Sequence, residues 1–170
     1  MTTLDLRSLR IRPGEQLEER RDVELEPYDL GGQRYEPRPA EPEAALTLTR
    51  TTDGLVLELV LDARLVGPCF RCLTDTEVAL HVRGREYQAA RGAEEDEELR
   101  TPYVEDDKLD VSRWARDAIA LALPEKILCR EDCAGLCAVC GRDLNAEPHT
   151  HEGAAADPRW SALAELRDRL

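Results

Sequence analysis

Residues 45–66 read ALTLTRTTDGLVLELVLDARLV, and the fold turns on this stretch. Leu46 and Leu48 alternate with Thr47 and Thr49, Asp53-Gly54 supplies a turn, and Leu55, Leu57, Leu59 and Leu61 then recur at every second position. A period of two sends alternate side chains to opposite faces of a strand, so the stretch predicts a β-hairpin with one leucine face turned to a core. Further along, Val78, Leu80 and Val82 alternate with Ala79, His81 and Arg83, which places His81 on the surface side. Upstream, Val23 and Leu25 alternate with acids, and Gly31-Gly32 marks a turn. An antiparallel sheet of several strands follows, with the proline-rich YEPRPAEPEA (35–44) read as a linker between its parts.

Beyond the sheet the period changes. In LDVSRWARDAIALALPEKILC (109–129) Asp110 is an N-cap, Val111, Trp114, Ala118, Leu121 and Ala122 form an apolar face, and Pro124 stops the helix. In ADPRWSALAELRDRL (156–170) Asp157 caps, Pro158 suits the first turn, and Trp160, Leu163, Leu166 and Leu170 make one stripe. Both tryptophans are read as packing residues. Between sheet and helix, eight acids lie from Glu94 to Asp107 with Arg100 as the only base, which predicts a solvated loop. The fold class expected is α+β: an antiparallel sheet, a helix, a cysteine-rich zinc-binding segment and a C-terminal helix. Residues 1–128 would form the sheet domain with one packed helix at about 110–123. Residues 129–170 would form the zinc-knuckle segment and last helix, packed on the same domain.

The chain of 170 residues carries 23 basic and 36 acidic residues, a formal charge of −13, and a single Phe. That balance disfavours a protein that grips nucleic acid mainly through phosphates, and suits a basic partner such as a ribosomal protein. No apolar run is long enough to span a membrane, and the first residues have no apolar signal core, so a cytoplasmic location is expected.

In a reducing compartment, clustered cysteines point to metal ligands or catalytic thiols before disulfides. All six fall in two stretches: GPCFRCL carries Cys69 and Cys72, and LCREDCAGLCAVCGRDLN (128–145) carries Cys129, Cys133, Cys137 and Cys140. Neither C-x-x-C opens a helix after a strand, as a thioredoxin-like site requires. A C-x-x-C turn can instead place two thiolates on one tetrahedral ion, and Gly141 after Cys140 suits the left-handed turn of such a knuckle. Thiolates select zinc over hard ions. With His149 and His151 the donors number eight, enough for two sites. In one partition Cys69 and Cys72 join Cys129 and Cys133, while Cys137 and Cys140 join His149 and His151; every donor is used, which favours it. In the other, Cys69 and Cys72 form a ribbon with Cys137 and Cys140, leaving Cys129, Cys133 and the histidines spare or in a weaker site; apart from either, His149 and His151 could sit in an exposed polar loop with no ligand role. One or two structural zinc ions are therefore expected, with no open position for substrate.

The segments GPCFRCL, LDVSRWARDAIALALPEKILCREDCAGLCAVCGRDLN and DPRWSALAELRDRL resemble the YceD (DUF177) family of large ribosomal RNA subunit accumulation proteins. Many relatives appear with C-x-C where this chain has His149-Thr150-His151, and with proline where it has Ala138; H-x-H keeps donor chemistry at the same spacing. The resemblance implies a bacterial or plastid protein that supports accumulation of the large (23S) ribosomal RNA without catalysis. The partner expected is the pre-ribosomal large subunit, met through a basic ribosomal protein or rRNA, with no membrane and no small-molecule substrate. Arg71, Arg83, Arg85, Arg130 and Arg142 are the candidate RNA or partner contacts. The alternative is a thiol redox or metal-dependent enzyme using the C-x-x-C pairs, with Glu152 of HTHE as base. Against it, the chain has no phosphate-cradling glycine loop and no H-E-x-x-H.

Overall fold

The leucine stretch forms the centre of the molecule in a computed structural model that describes residues 1–90 and 100–151. In chain order the elements are β1 (Thr3–Asp5), a 3-10 turn (Leu6–Ser8), β2 (Gln16–Asp22), β3 (Tyr28–Leu30), β4 (Gln33–Pro37), β5 (Glu43–Arg50), β6 (Gly54–Pro68), β7 (Asp75–Ala89), β8 (Val104–Glu105), β9 (Lys108–Asp110) and α1 (Val111–Ala122). β6 is the spine. Along one edge it pairs antiparallel with β7 from Gly54↔Ala89 to Pro68↔Asp75. Along the other it pairs first with β5, through Leu48↔Leu57 and Leu46↔Leu59, and then with β4 through Pro37↔Leu65. β2 extends the sheet beyond β5, and β3 beyond β4.

The period of two carries through to burial. Leu55, Leu57, Leu59, Leu61, Ala63 and Leu65 are buried, while Val60, Asp62 and Arg64 are exposed on the opposite face. Helix α1 covers the apolar face. The Asp110 carboxylate accepts from Arg113 N at 3.0 Å, the capping bond the sequence suggested, which contributes about 1 kcal/mol. Trp114 is 2% exposed and packs its indole against Gly84 of β7. A Cβ at Gly84 would stand 2.9 Å from the indole Nε1, so glycine is what allows helix and sheet to close together. A small second sheet, β1-β9-β8, clamps the start of the helix, and Val111 N donates to Thr2 O at 3.0 Å.

Several expectations need correction. Residues 35–44 are no linker: Tyr35 and Pro37 belong to β4, Ala44 to β5, and both strands flank β6. The turn between them is tied down as well, because Val23 N and Leu25 N donate to Pro42 O and Ala40 O. Prolines end strands as readily as they join domains, and composition alone does not separate the two. The buried face of α1 is Val111, Trp114, Ala115 and Ile119; Leu121 and Ala122 are exposed. Leu121 stands in the last turn of the helix and points to solvent, while half-buried Leu123 just beyond it packs on the core. The acidic stretch after Arg100 is not open loop, since Val104↔Leu109 and Glu105↔Lys108 pair β8 with β9, and Thr101 is buried. Its remaining part, 91–99, lies outside the described residues, as do Glu152 and the expected helix at 157–170. Among the described residues no helix is long and apolar enough to cross a membrane.

Candidate metal centres

Cys69 and Cys72 stand in the 69–74 connection that closes the β6–β7 hairpin. The chain leaving α1 returns to that same end. Phe70 N donates to Ile127 O at 2.8 Å and Leu136 N to Arg71 O at 3.2 Å, and the Arg71 guanidinium donates to Cys133 O at 2.7 Å. These bonds bring Cys129 and Cys133 onto the hairpin cysteines. Cys69 Sγ is 3.8 Å from Cys133 Sγ, and Cys72 Sγ is 3.6 Å from Cys129 Sγ. All four sulfurs lie within 4.8 Å of one another. Four thiolates at about 2.3 Å from one tetrahedral ion stand about 3.8 Å apart, so the set has the dimensions of a metal cage. No cysteine is in a disulfide. Cys69, Cys72 and Cys133 are buried with Leu128 and Leu136 against them, so this is the inner set.

The outer set joins Cys137, Cys140, His149 and His151, whose donor atoms also fall within 4.8 Å. Cys140 Sγ is 3.1 Å from His149 Nε2. His149 Nδ1 donates to Glu147 O at 2.7 Å, which leaves Nε2 free to act as a ligand. Cys140 is exposed and Cys137 buried. The structure thus brings together the partition that uses all eight donors, and it does not bring Cys69 and Cys72 to Cys137 and Cys140 as a ribbon.

The two C-x-x-C turns are one backbone built twice. Cys69 N donates to Thr74 O and Leu73 N to Cys69 O; in the same places Cys137 N donates to Arg142 O and Gly141 N to Cys137 O. The fifth residue of each is left-handed, Leu73 at φ 62° and Gly141 at φ 73°. In such a turn N–H groups point at the first sulfur. Burial pushes the Cys69 thiol up, but N–H donation from Cys72, Cys129 and Arg71 outweighs it and holds the group at about 6. The N–H groups of Cys140 and Val139 hold Cys137 at about 6 as well. The Thr74 hydroxyl and N–H lower Cys72. Cys129 moves the other way: burial of its sulfur, then the thiols of Cys72, Cys133 and Cys69, push it up to about 12 although the residue as a whole is exposed. His149 is raised, first by its bond to the Glu147 carbonyl and then by Cys137. Four sulfurs this close cannot all ionise without a cation among them, which a divalent ion would supply. Both donor sets could hold a metal.

The five candidate arginines do not make one patch. Arg71 is spent on Cys133 O; Arg130 donates to Asn145 Oδ1 at 2.6 Å and Arg142 to Glu147 Oε2 at 3.2 Å, all around the two centres. Arg83 and Arg85 are on β7, where Arg83 Nε donates to His81 Nε2 and Arg85 lies 3.8 Å from Glu58. Arg83 is eight residues from Asp75, roughly 26 Å along the strand, so these two are remote from the knuckles. Sequence reading also passed over residues that support the sulfurs: Thr74 on Cys72, and Asn145, whose Nδ2 is 3.5 Å from Cys133 Sγ. An asparagine just past a C-x-x-C-G turn was the one available signal for the second.

The family described as large ribosomal RNA subunit accumulation protein YceD matches residues 57–167. Uncharacterized proteins of Mycobacterium tuberculosis and Mycobacterium bovis are each 35% identical over 125 residues, covering 71% of this chain and 59% of theirs. An uncharacterized protein of Mycobacterium leprae is 30% identical over 127 residues, 71% of this chain and 57% of its own. The match thus spans less than two thirds of those relatives' length. No solved structure matches.

Proposed function

The chain belongs to the YceD family, and from that premise we propose that it is a non-enzymatic factor of large-subunit assembly in the cytoplasm, held in shape by two zinc ions. The observation that carries the reading is the family match over residues 57–167, a span that contains every cysteine together with His149 and His151. In this reading Cys69, Cys72, Cys129 and Cys133 hold one ion, and Cys137, Cys140, His149 and His151 the other. With four protein donors each, neither ion keeps the open position that a catalytic zinc needs for water or substrate. The inner ion staples the β6–β7 hairpin to the segment leaving α1, and structural zinc of this kind contributes on the order of 10 kcal/mol to folding.

The partner in this reading is the pre-ribosomal large subunit. A formal charge of −13 favours contact with a basic ribosomal protein. Any contact with 23S rRNA would use Arg71, Arg130 and Arg142 around the centres, with Arg83 and Arg85 as a separate pair on the open face of the sheet. Arg130, Arg142, Arg83 and Arg85 hold side-chain partners at the surface that a phosphate could replace at little cost, whereas Arg71 would have to leave the carbonyl of buried Cys133. The test has two arms. Elemental analysis of the purified full chain should return two zinc ions per molecule. On a density gradient of lysate the chain should travel with large-subunit precursors; free, low-mass protein under every condition of growth would overturn the assembly role.

A further inference from the structure

One side chain outside both donor sets touches the inner one and belongs, by its place in the chain, to the outer. Asn145 lies between Cys140 and His149. Its Nδ2 donates to Cys133 Sγ at 3.5 Å and to Asp143 Oδ1 at 2.7 Å. Its Oδ1 accepts from Ala134 N at 2.8 Å and from Arg130 Nη2 at 2.6 Å, and its own N donates to Asp143 Oδ1 at 2.8 Å. The backbone on either side is fastened too. Leu136 and Asp143 form a β-bridge, Leu144 N donates to Gly135 O at 2.9 Å, and Glu147 N donates to Asp143 O at 3.0 Å. Glu147 in turn orients His149, whose Nε2 faces Cys140. A continuous chain of hydrogen bonds therefore runs from an outer donor to an inner sulfur.

We propose that Asn145 is a positioning residue that couples the two centres. A metal ion on Cys137, Cys140, His149 and His151 fixes the 143–151 segment, and that segment holds the Asn145 amide on Cys133 Sγ. An amide N–H on a thiolate withdraws charge from it, and a four-thiolate centre, with about two net negative charges, gains most from such donors. Filling the outer set therefore tightens the inner set's hold on its ion, and the linkage is reciprocal: loading the inner set, which pins Cys133 and Asn145, pre-arranges the outer loop. Loss of the exposed ion would loosen the buried one, so the outer centre sets how firmly the hairpin staple is closed. This inference rests on the reading that both sets bind metal.

Cobalt(II) titration of the full chain separates the two ideas, because four-sulfur and two-sulfur, two-nitrogen sites differ in their ligand-field bands. Wild type should take up two ions. The pair His149→Ala, His151→Ala should weaken the inner site about tenfold, Asn145→Ala should do the same, and the combination should be no worse than either alone. Asn145→Asp keeps both acceptor bonds but turns the donor on Cys133 Sγ and Asp143 Oδ1 into a carboxylate oxygen, so it should move the thiolate-to-cobalt charge-transfer band of the inner site to longer wavelength with the secondary structure intact. Uptake of fewer than two ions by wild type overturns the two-metal reading and the coupling with it. Two ions, with inner affinity unchanged by Asn145→Ala or with effects that simply add, overturn the coupling alone.

Discussion

The inner and outer centres use the same six-residue turn and set it in opposite surroundings. At 69–74 the turn closes a long hairpin, and its sulfurs are sealed by the returning chain: Cys69 is 0% exposed and Cys133 1%. At 137–142 the turn projects from a segment held by the Leu136–Asp143 bridge, by Leu136 N on Arg71 O and by Leu144 N on Gly135 O, and its donors Cys140 and His151 are exposed. The first sulfur of each turn is held at about 6 by the same kind of N–H donors. The turn thus prepares a thiolate wherever it is placed, and what differs is what the thiolate fastens. One centre joins elements about sixty residues apart in sequence; the other closes a loop of fifteen.

That contrast sets the largest expected effect. Cys69→Ser should remove the inner ion and most of the roughly 10 kcal/mol a structural zinc contributes, enough to unfold a domain of ordinary stability. Cys137→Ser should release only the outer ion and cost about 1–2 kcal/mol, a local loss. Urea denaturation with metal analysis of each variant measures both, and equal losses would break the distinction between staple and loop. Next in size is reactivity in protein that keeps the inner ion and has lost the outer one. Cys69 is then fully buried and held on its metal, while Cys137, 8% exposed, is held by N–H donors alone, so iodoacetamide at pH 7 should label Cys137 at least tenfold faster than Cys69. Because the thiolate is the nucleophile and its folded value is depressed, labelling of Cys137 should stay near its plateau above pH 7 and fall as pH drops through about 6. Peptide mapping across pH checks both the ordering and the sign.

A smaller effect tests how the outer segment docks. Gly135 has φ 79°, and a Cβ there would lie 3.2 Å from both Arg71 O and Arg71 Cβ. Gly135→Ala should cost about 2 kcal/mol, seen as a lower urea midpoint, through strain and through separation of the two knuckle segments. If the cost is only that of the φ angle, the close approach of the segments is not holding them together.

The sheet was legible because its rule is short-range: Leu55 to Leu61 state their own period. The eight donors were legible only as a set, since they divide evenly whether Cys129 and Cys133 join the hairpin turn or the histidines, and the bonds from Phe70 N and Leu136 N that bring their segment to the hairpin are long-range. Closure of 35–44 into a strand turn was not legible, since Pro37 and Pro42 look the same in a linker, and the bonds that decide it come from Val23 and Leu25 far upstream. The buried face of α1 was misread at Leu121 because helical period says which residues share a stripe and not which of them meet the core. Asn145 offered only its place past the C-x-x-C-G turn, for a similar reason: the Leu136–Asp143 bridge that helps bring it to Cys133 is a pairing no periodicity announces.

The smallest prediction isolates the one difference between the two turns that is purely backbone. Leu73 and Gly141 occupy the same left-handed position, where a residue with a Cβ is strained by about 1–2 kcal/mol and glycine is not. Leu73 is half exposed, so little apolar burial is lost on truncation. Leu73→Gly should relieve the strain and give back part of it as unfolded-chain entropy, a net stabilisation of about 0.5 kcal/mol. At Gly141 a Cβ meets nothing within 4 Å, so Gly141→Ala should show the strain alone, a loss of about 1 kcal/mol. Opposite signs at matched positions, read from urea midpoints of the metal-loaded proteins, are what a shared backbone requires. A loss at both would mean that Leu73 is kept for its side chain, and that the inner turn depends on packing its outer counterpart does without.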